Sequence, residues 1–230
     1  MLLLDRTGVV VIHYDVLIAT PGPSMKPEYV MSLMKTVEAL SSRGISYHLL
    51  NKYSSFVPSA RELTATDTYS HNWMTNRVGS GKFTYRKIFW IDSDIAWTPE
   101  QFFKLYDSEY EVVSGAYIVS DEVTTTVHAW GKPGGIPIPE IMKMKAPLKV
   151  QSIGFGFVTM KYGVFERLPR PWFKHFDQTV PTAKGNQVVD SIGEDVSWCI
   201  KAYQAGIEIY FDPSVLVNHM KKRAITWPKK

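Results

Sequence analysis

Lys87-Ile88-Phe89-Trp90-Ile91-Asp92-Ser93-Asp94 is an apolar run, free of Pro and Gly, that ends in two carboxylates. Its composition predicts a buried strand, and the i, i+2 spacing puts Asp92 and Asp94 on one side of an extended chain. The strand's C-terminal end is the edge of an open α/β sheet at which ligands bind. Two neighbouring carboxylates repel at neutral pH, and a hard divalent cation relieves the repulsion. The pair therefore suggests a metal, and a metal with hard oxygen ligands suggests a phosphate.

Outward from this strand the chain alternates between strand and helix patterns. Val16 to Thr20 reads as a buried strand stopped by Pro21-Gly22-Pro23. Val30, Leu33, Met34, Val37 and Leu40 mark one face of a helix from about Pro27 to Ser42, with Gly44 as its stop. Ile45 to Leu50 is the next strand, which makes a βαβ unit with a right-handed crossover. A helix is expected around Ala60 to Trp73. Beyond the acidic strand, Thr98 and Pro99 open a helix, and Glu111 to Tyr117 is strand-like. Val127 to Pro147, interrupted by Gly and Pro, reads as a loop-rich excursion. Val150 to Met160 is a further strand, Glu194 to Gln204 a helix closed by Gly206, and Ile207 to Phe211 a last strand. No repeat or linker interrupts the pattern, so one α/β domain over residues 1–230 is expected.

Composition narrows the class. With 45% hydrophobic and 21% charged residues, 230 residues suffice for one substantial core of an ordinary globular protein. The 7 Trp and 12 Tyr suit carbohydrate or nucleotide sites, and equally suit core packing. A net charge of +4 without long like-charge blocks gives no reason to infer nucleic-acid binding. Lys221, Lys222, Arg223, Lys229 and Lys230 form a basic end that either assists a polyanionic ligand or is simply solvated. Cys199 alone rules out an intrachain disulfide and a cysteine-based metal site, and fits a reducing compartment. The apolar N-terminus is broken by Asp5, Arg6, His13 and Asp15, and no run is long enough to span a bilayer. A soluble, cytoplasmic protein with no transmembrane segment is the expectation.

Three downstream features carry chemistry. Gly154 and Gly156 interrupt a strand, which marks a bulge or a close approach by a ligand. Glu194 and Asp195 open an otherwise apolar helix, where they either complement its dipole or supply a general base. His219 ends the short apolar run Val215-Leu216-Val217-Asn218, as a surface residue or a ligand.

In this order, Asp92-Ser93-Asp94, Gly154-Phe155-Gly156, Glu194-Asp195 and His219 resemble the hallmarks of the GT-A glycosyltransferases, family-2-like and nucleotide-sugar dependent. The resemblance spans roughly Val16 to Lys221. It implies a Rossmann-like α/β/α sandwich with a mostly parallel central sheet. The part up to about residue 120 would bind the nucleotide, and the remainder the acceptor and the catalytic groups. It further implies a UDP- or GDP-sugar donor and a glycan or other hydroxyl acceptor. Mn²⁺ or Mg²⁺ would sit on Asp94 and His219, with Asp92 on the ribose or the metal. Thr20 and Pro21 resemble the strand end that touches the nucleobase, and Ser54 to Arg61 a segment facing the nucleotide. Ser93, Gly154, Phe155 and Gly156 would complete the donor side. Asp195 would act as base in an inverting transfer, with Glu194 as the alternative base or an acceptor contact. His128, Trp130 and Trp172 are candidates for the acceptor side, with packing as the competing explanation.

Two other functions share parts of this pattern. A haloacid-dehalogenase-type phosphohydrolase would use Asp92 as nucleophile and Asp94 as general acid. Against it, a βαβ unit precedes the strand, Ile95-Ala96-Trp97 stands where Gly or Thr is usual, and His219 has no task. A non-catalytic nucleotide-sugar-binding module needs no Asp195. A nucleotidyltransferase would want a glycine-rich basic loop that Pro21 to Lys26 does not provide.

Overall fold

The computed structural model describes residues 2–4, 10–69, 76–119, 122–132, 134–181 and 187–221. In chain order its first elements are β1 (Leu2–Leu4), β2 (Val10–Ala19), α1 (Pro27–Ser42), β3 (Tyr47–Leu50), α2 (Val57–Thr66) and β4 (Phe83–Ile91). There follow β5 (Ile95–Ala96), α3 (Pro99–Tyr106), β6 (Val112–Ala116), α4 (Ile138–Ile141), β7 (Leu148–Lys149) and β8 (Phe157–Lys161). A hairpin of β9 (Phe176–Pro181) and β10 (Gln187–Ile192) precedes α5 (Glu194–Gln204), β11 (Ile209–Leu216) and β12 (Asn218–His219).

Among the described residues, eight strands form one sheet in the order β1-β2-β4-β8-β6-β11-β7, with β3 also beside β2. β3, β2 and β4 pair in parallel, as do β6 and β11. β8 lies antiparallel between β4 and β6, so all five of those strands run the same way. The mostly parallel sheet expected from the sequence is therefore present, with one reversed strand at its centre.

Alternation along the central strands builds a core on each face of this sheet. Leu17, Ala19, Ile88 and Trp90 face one side and pack with Trp198, Cys199 and Ala202 of α5. Val16, Ile18, Phe89 and Ile91 face the other, against Tyr29 and Leu40 of α1 and Phe102 and Leu105 of α3. The result is the three-layered α/β/α sandwich. No helix among the described residues is long and apolar enough to cross a membrane.

Local chemistry explains where the sequence reading held and where it slipped. Thr98 caps α3 as expected: its Oγ1 accepts from the Gln101 N–H at 3.3 Å, and Gln101 Oε1 accepts from the Thr98 N–H at 2.9 Å. β2 begins earlier than Val16 because its polar residues find partners, Asp15 accepting from the Ser46 N–H at 2.8 Å. The helix expected over Ala60 to Trp73 is the shorter α2, ended by Asp67 in the left-handed region at φ 50°. Residues 70–73 of that expectation lie outside the described residues. The strand expected from Val150 begins only at Phe157, since the preceding glycines accommodate a side chain described below.

Lys87 explains how β4 and α3 are locked together. It is 1% exposed, and its ammonium donates to the carbonyls of Tyr106 at 2.6 Å and of Leu105 and Ser108, at the C-terminal end of α3. Lys87→Met keeps the aliphatic stem and strands those carbonyls. The expected loss is about 2 kcal/mol of unfolding free energy, read from urea denaturation.

Candidate active site

The two carboxylates that end β4 do not continue its extension. Asp92 O accepts from the Ile95 N–H at 3.0 Å, so the chain turns at Asp92-Ser93-Asp94. Three neighbours pin this turn: the Asp92 N–H donates to Gly156 O at 3.1 Å, Lys26 N–H to Ser93 O at 2.9 Å, and Met220 N–H to Asp94 O at 2.8 Å. Because the chain turns, each carboxylate has its own cationic partner.

Asp92 is held by Arg61 of α2, whose Nη2 lies 3.1 Å from Asp92 Oδ1. The same guanidinium donates through Nε to Glu194 Oε1 at 3.1 Å. Its side chain is only 5% exposed. Burial disfavours its charge, but Asp92, Glu194 and Asp195 outweigh burial and hold the proton more firmly than usual. Nη1 is buried without a partner. The second oxygen of Glu194 lies 3.5 Å from His175 Nε2.

Asp195 differs from Glu194. Its Oδ1 accepts from the Val196 N–H at 2.7 Å in the first turn of α5. Burial raises its pKa, the charge of Glu194 raises it further, and Arg61 opposes both. A carboxylate more basic than usual, at the open end of a helix, is suited to accept a proton.

Asp94 faces His219, which the pairing of β12 with β5 brings alongside. His219 Nδ1 is 2.9 Å from Ile118 O, and Nε2 is 3.2 Å from Asp94 Oδ2. Both partners are acceptors only, whereas a neutral imidazole donates from one nitrogen. A neutral imidazole therefore satisfies only one of the two contacts, and a protonated one satisfies both. The hydrogen bond to Asp94 accordingly raises the pKa of His219, against the effect of burial. Lys221 adds a further positive charge 3.3 Å from the same Asp94 oxygen. No group of three or more His, Cys, Asp or Glu poised to hold a metal occurs among the described residues. Asp94 and His219 nevertheless fit a divalent cation whose remaining ligands are diphosphate oxygens and water. Asp92 is paired with Arg61.

Between these groups and the loop after β3 lies an open cleft of about 500 Å³, lined by Pro21, Lys26, Tyr53, Ser54, Arg61 and Asp94 among others. Pro21, Arg61, Asp92 and Ser93 all border it. Thr20 does not contribute its side chain, which is fully buried with its hydroxyl against that of Tyr29. Phe155 is likewise fully buried, packed edge-on against Phe173 and Trp198. Gly154 and Gly156 make room for Tyr117 rather than for a ligand: a Cβ on either would lie 2.5 Å from atoms of that residue. The Gly156 N–H donates to the Tyr117 hydroxyl at 3.1 Å.

Of the three acceptor candidates, Trp172 is a core residue, fully buried and donating to Phe165 O at 2.9 Å. Trp130 is exposed against Tyr203, about 12 Å along α5 from Asp195 at 1.5 Å per residue. His128 is half-buried, with a pKa lowered by burial and close enough to Asp195 to feel its charge. Sequence reasoning missed Tyr117 and His175. The two glycines pointed to a bulge or an approaching ligand, and not to Tyr117. Nothing local signalled His175.

No known sequence family matches this chain, and no curated protein matches it. Among solved structures it resembles A197 from STIV, with 16% identity, a TM-score of 0.51, and coverage of 93% of this chain and 98% of that one. It also resembles the catalytic domain of Drosophila beta1,4galactosyltransferase 7 complexed with xylobiose: 11% identity, TM-score 0.46, 87% of this chain and 65% of that one. GalNAc-T7 with UDP, GalNAc and Mn²⁺ matches at 13% identity and TM-score 0.48, over 91% of this chain and 38% of that one. At these identities the likeness is one of fold.

Arg61→Met leaves Asp92 and Glu194 without their shared counter-charge. It is expected to cost about 3 kcal/mol in chemical denaturation, with Arg61→Lys recovering part of the loss.

Proposed function

We propose that this protein is a metal-dependent glycosyltransferase of the GT-A type, moving a sugar from a nucleoside-diphosphate sugar to an acceptor hydroxyl. One observation carries the reading: Asp94, which His219 Nε2 approaches to 3.2 Å, and Arg61, which pairs with Glu194 at the start of α5 next to Asp195, line the same cleft. The donor lies in that cleft, its diphosphate toward Asp94, His219 and Lys221. A divalent cation, Mn²⁺ or Mg²⁺, held by Asp94 and His219 would neutralise charge developing on the departing diphosphate. Arg61 stays on Asp92 and Glu194, and so acts on the donor through the carboxylates it fixes. Residues up to about 120 form the donor half, and the remainder the acceptor and catalytic half.

Asp195 accepts the acceptor's hydroxyl proton. As it does so, the oxygen attacks the anomeric carbon and the sugar–phosphate bond breaks on the opposite face, which inverts the configuration. Glu194 is less suited to this role because Arg61 holds one of its oxygens at 3.1 Å. The grip of Arg61 on Asp92 also counts against a phosphohydrolase, whose nucleophile must be free to attack.

Thermal-shift measurements with UDP and GDP test the donor class. Stabilisation by one of them only with Mn²⁺ present, and lost in Asp94→Ala, is expected; no response to either would reject the donor site. Asp195→Asn should lower turnover by about 10²–10⁴-fold while leaving nucleotide binding intact. Unchanged turnover in that variant rules out the assigned base.

The wild-type rate should fall as pH drops and Asp195 gains its proton. Since burial raises the pKa of Asp195, the midpoint of the acid limb in kcat/KM should lie above the ordinary carboxylate range.

A further inference from the structure

The transfer chemistry leaves Tyr117 without a task, yet its surroundings are shaped around it. The residue follows β6 directly and is 8% exposed. It fills a notch left open by the missing side chains of Gly154 and Gly156. A Cβ on Gly154 would lie 2.5 Å from its hydroxyl, and one on Gly156 2.5 Å from its ring. Burial and the charges of Asp92 and Asp195 push its pKa up, so the phenol is neutral. Its oxygen accepts from the Gly156 N–H at 3.1 Å.

The contacts of Tyr117 lead to both members of the Asp94–His219 pair. Gly156, which binds the hydroxyl, also accepts from the Asp92 N–H at 3.1 Å and so anchors the turn that carries Asp94. The Tyr117 ring stands nearly perpendicular to the imidazole of His219, with centroids 5.1 Å apart and planes at 77°. The next carbonyl along the chain, Ile118 O, lies 2.9 Å from His219 Nδ1. Pairing of His219 with Ile95 across β12 and β5 places the histidine without aiming its ring, whose outer torsion is broad. A proton on Nδ1, donated to Ile118 O, leaves the Nε2 lone pair on the side of Asp94. The Tyr117 ring then holds the plane in which that lone pair lies.

We propose that Tyr117 is a positioning residue for the cation: its ring holds the His219 imidazole with Nε2 turned toward Asp94, and its hydroxyl ties that ring to the turn that carries Asp94. This role rests on the reading of Asp94 and His219 as the cation pair. Two protein ligands are few for a divalent ion whose other ligands are diphosphate and water. Their orientation before the ion arrives therefore decides how much affinity they add. Tyr117 touches neither the ion nor the sugar, and acts through His219 and Gly156.

Titration of the full chain with Mn²⁺ in the presence of UDP, followed by EPR, tests this. A coordinated imidazole nitrogen modulates the manganese spin echo, and oxygen ligands do not. Wild type should show that modulation. Tyr117→Leu should weaken Mn²⁺ binding by about tenfold and lose the modulation. Tyr117→Phe keeps the ring and releases only Gly156, so it should weaken binding by about threefold and keep the modulation. Lys87→Met destabilises the fold about 13 Å down β4 from Ile91, at 3.3 Å per residue, and should bind Mn²⁺ as wild type does. Wild-type affinity and modulation in Tyr117→Leu would overturn the positioning role and leave the cation pair standing. An equal loss of affinity in Lys87→Met would do the same, since general destabilisation then explains the effect. Should Tyr117→Leu not fold, wild-type affinity in Tyr117→Phe overturns the role. Wild-type protein that binds no Mn²⁺, or binds it without nitrogen modulation, would instead overturn the cation pair, and the role of Tyr117 with it.

Discussion

The guanidinium of Arg61 joins two parts of the chain that sequence separates widely. Its contact with Glu194 spans 133 residues, and that with Asp92 spans 31. Through these contacts α2 sets the distance between the end of β4 and the start of α5. An unpaired carboxylate at this depth would lose much of its solvation, and a single buried cation stabilises two of them. Arg61 thereby gives the candidate site its rigid centre, and it lines the larger cleft itself.

That centre also divides the acidic residues. Asp92 and Glu194 are held by Arg61 and act as fixed charges. Asp94 faces His219 and Lys221, where positive charge is already gathered. Asp195 keeps one oxygen on a helix amide and is more basic than an exposed aspartate. Four carboxylates that composition cannot tell apart thus acquire different charge environments from their neighbours.

Much of the fold was legible because it rests on local pattern. α1 spans the residues its Pro and Gly signals predict, although it buries Tyr29, Ser32, Thr36 and Leu40 and leaves Val30 and Met34 of the expected stripe exposed, and Thr98 caps α3 through its own side chain. The apolar run ending at Asp92 lies in the sheet interior, between β2 and β8. What escaped depends on contacts between distant segments. The β9–β10 hairpin has no decisive local signal, being a mixed run whose pairing alone defines it. Asp92 and Asp94 were placed together by strand periodicity, but a turn stabilised by Gly156, Lys26 and Met220 gives them separate partners. The glycines at 154 and 156 suggested a bulge or the approach of a ligand, whereas a side chain of the protein itself fills the space. That the approaching group is Tyr117 requires knowing that β6 lies beside β8.

The division between Asp92 and Asp94 is the central claim, and anomalous diffraction from crystals grown with Mn²⁺ and UDP tests it directly. The account predicts one manganese peak within coordination distance of Asp94 and His219, with Arg61 still paired to Asp92 and Glu194. Manganese shared by Asp92 and Asp94, with Arg61 released onto the diphosphate, would contradict it.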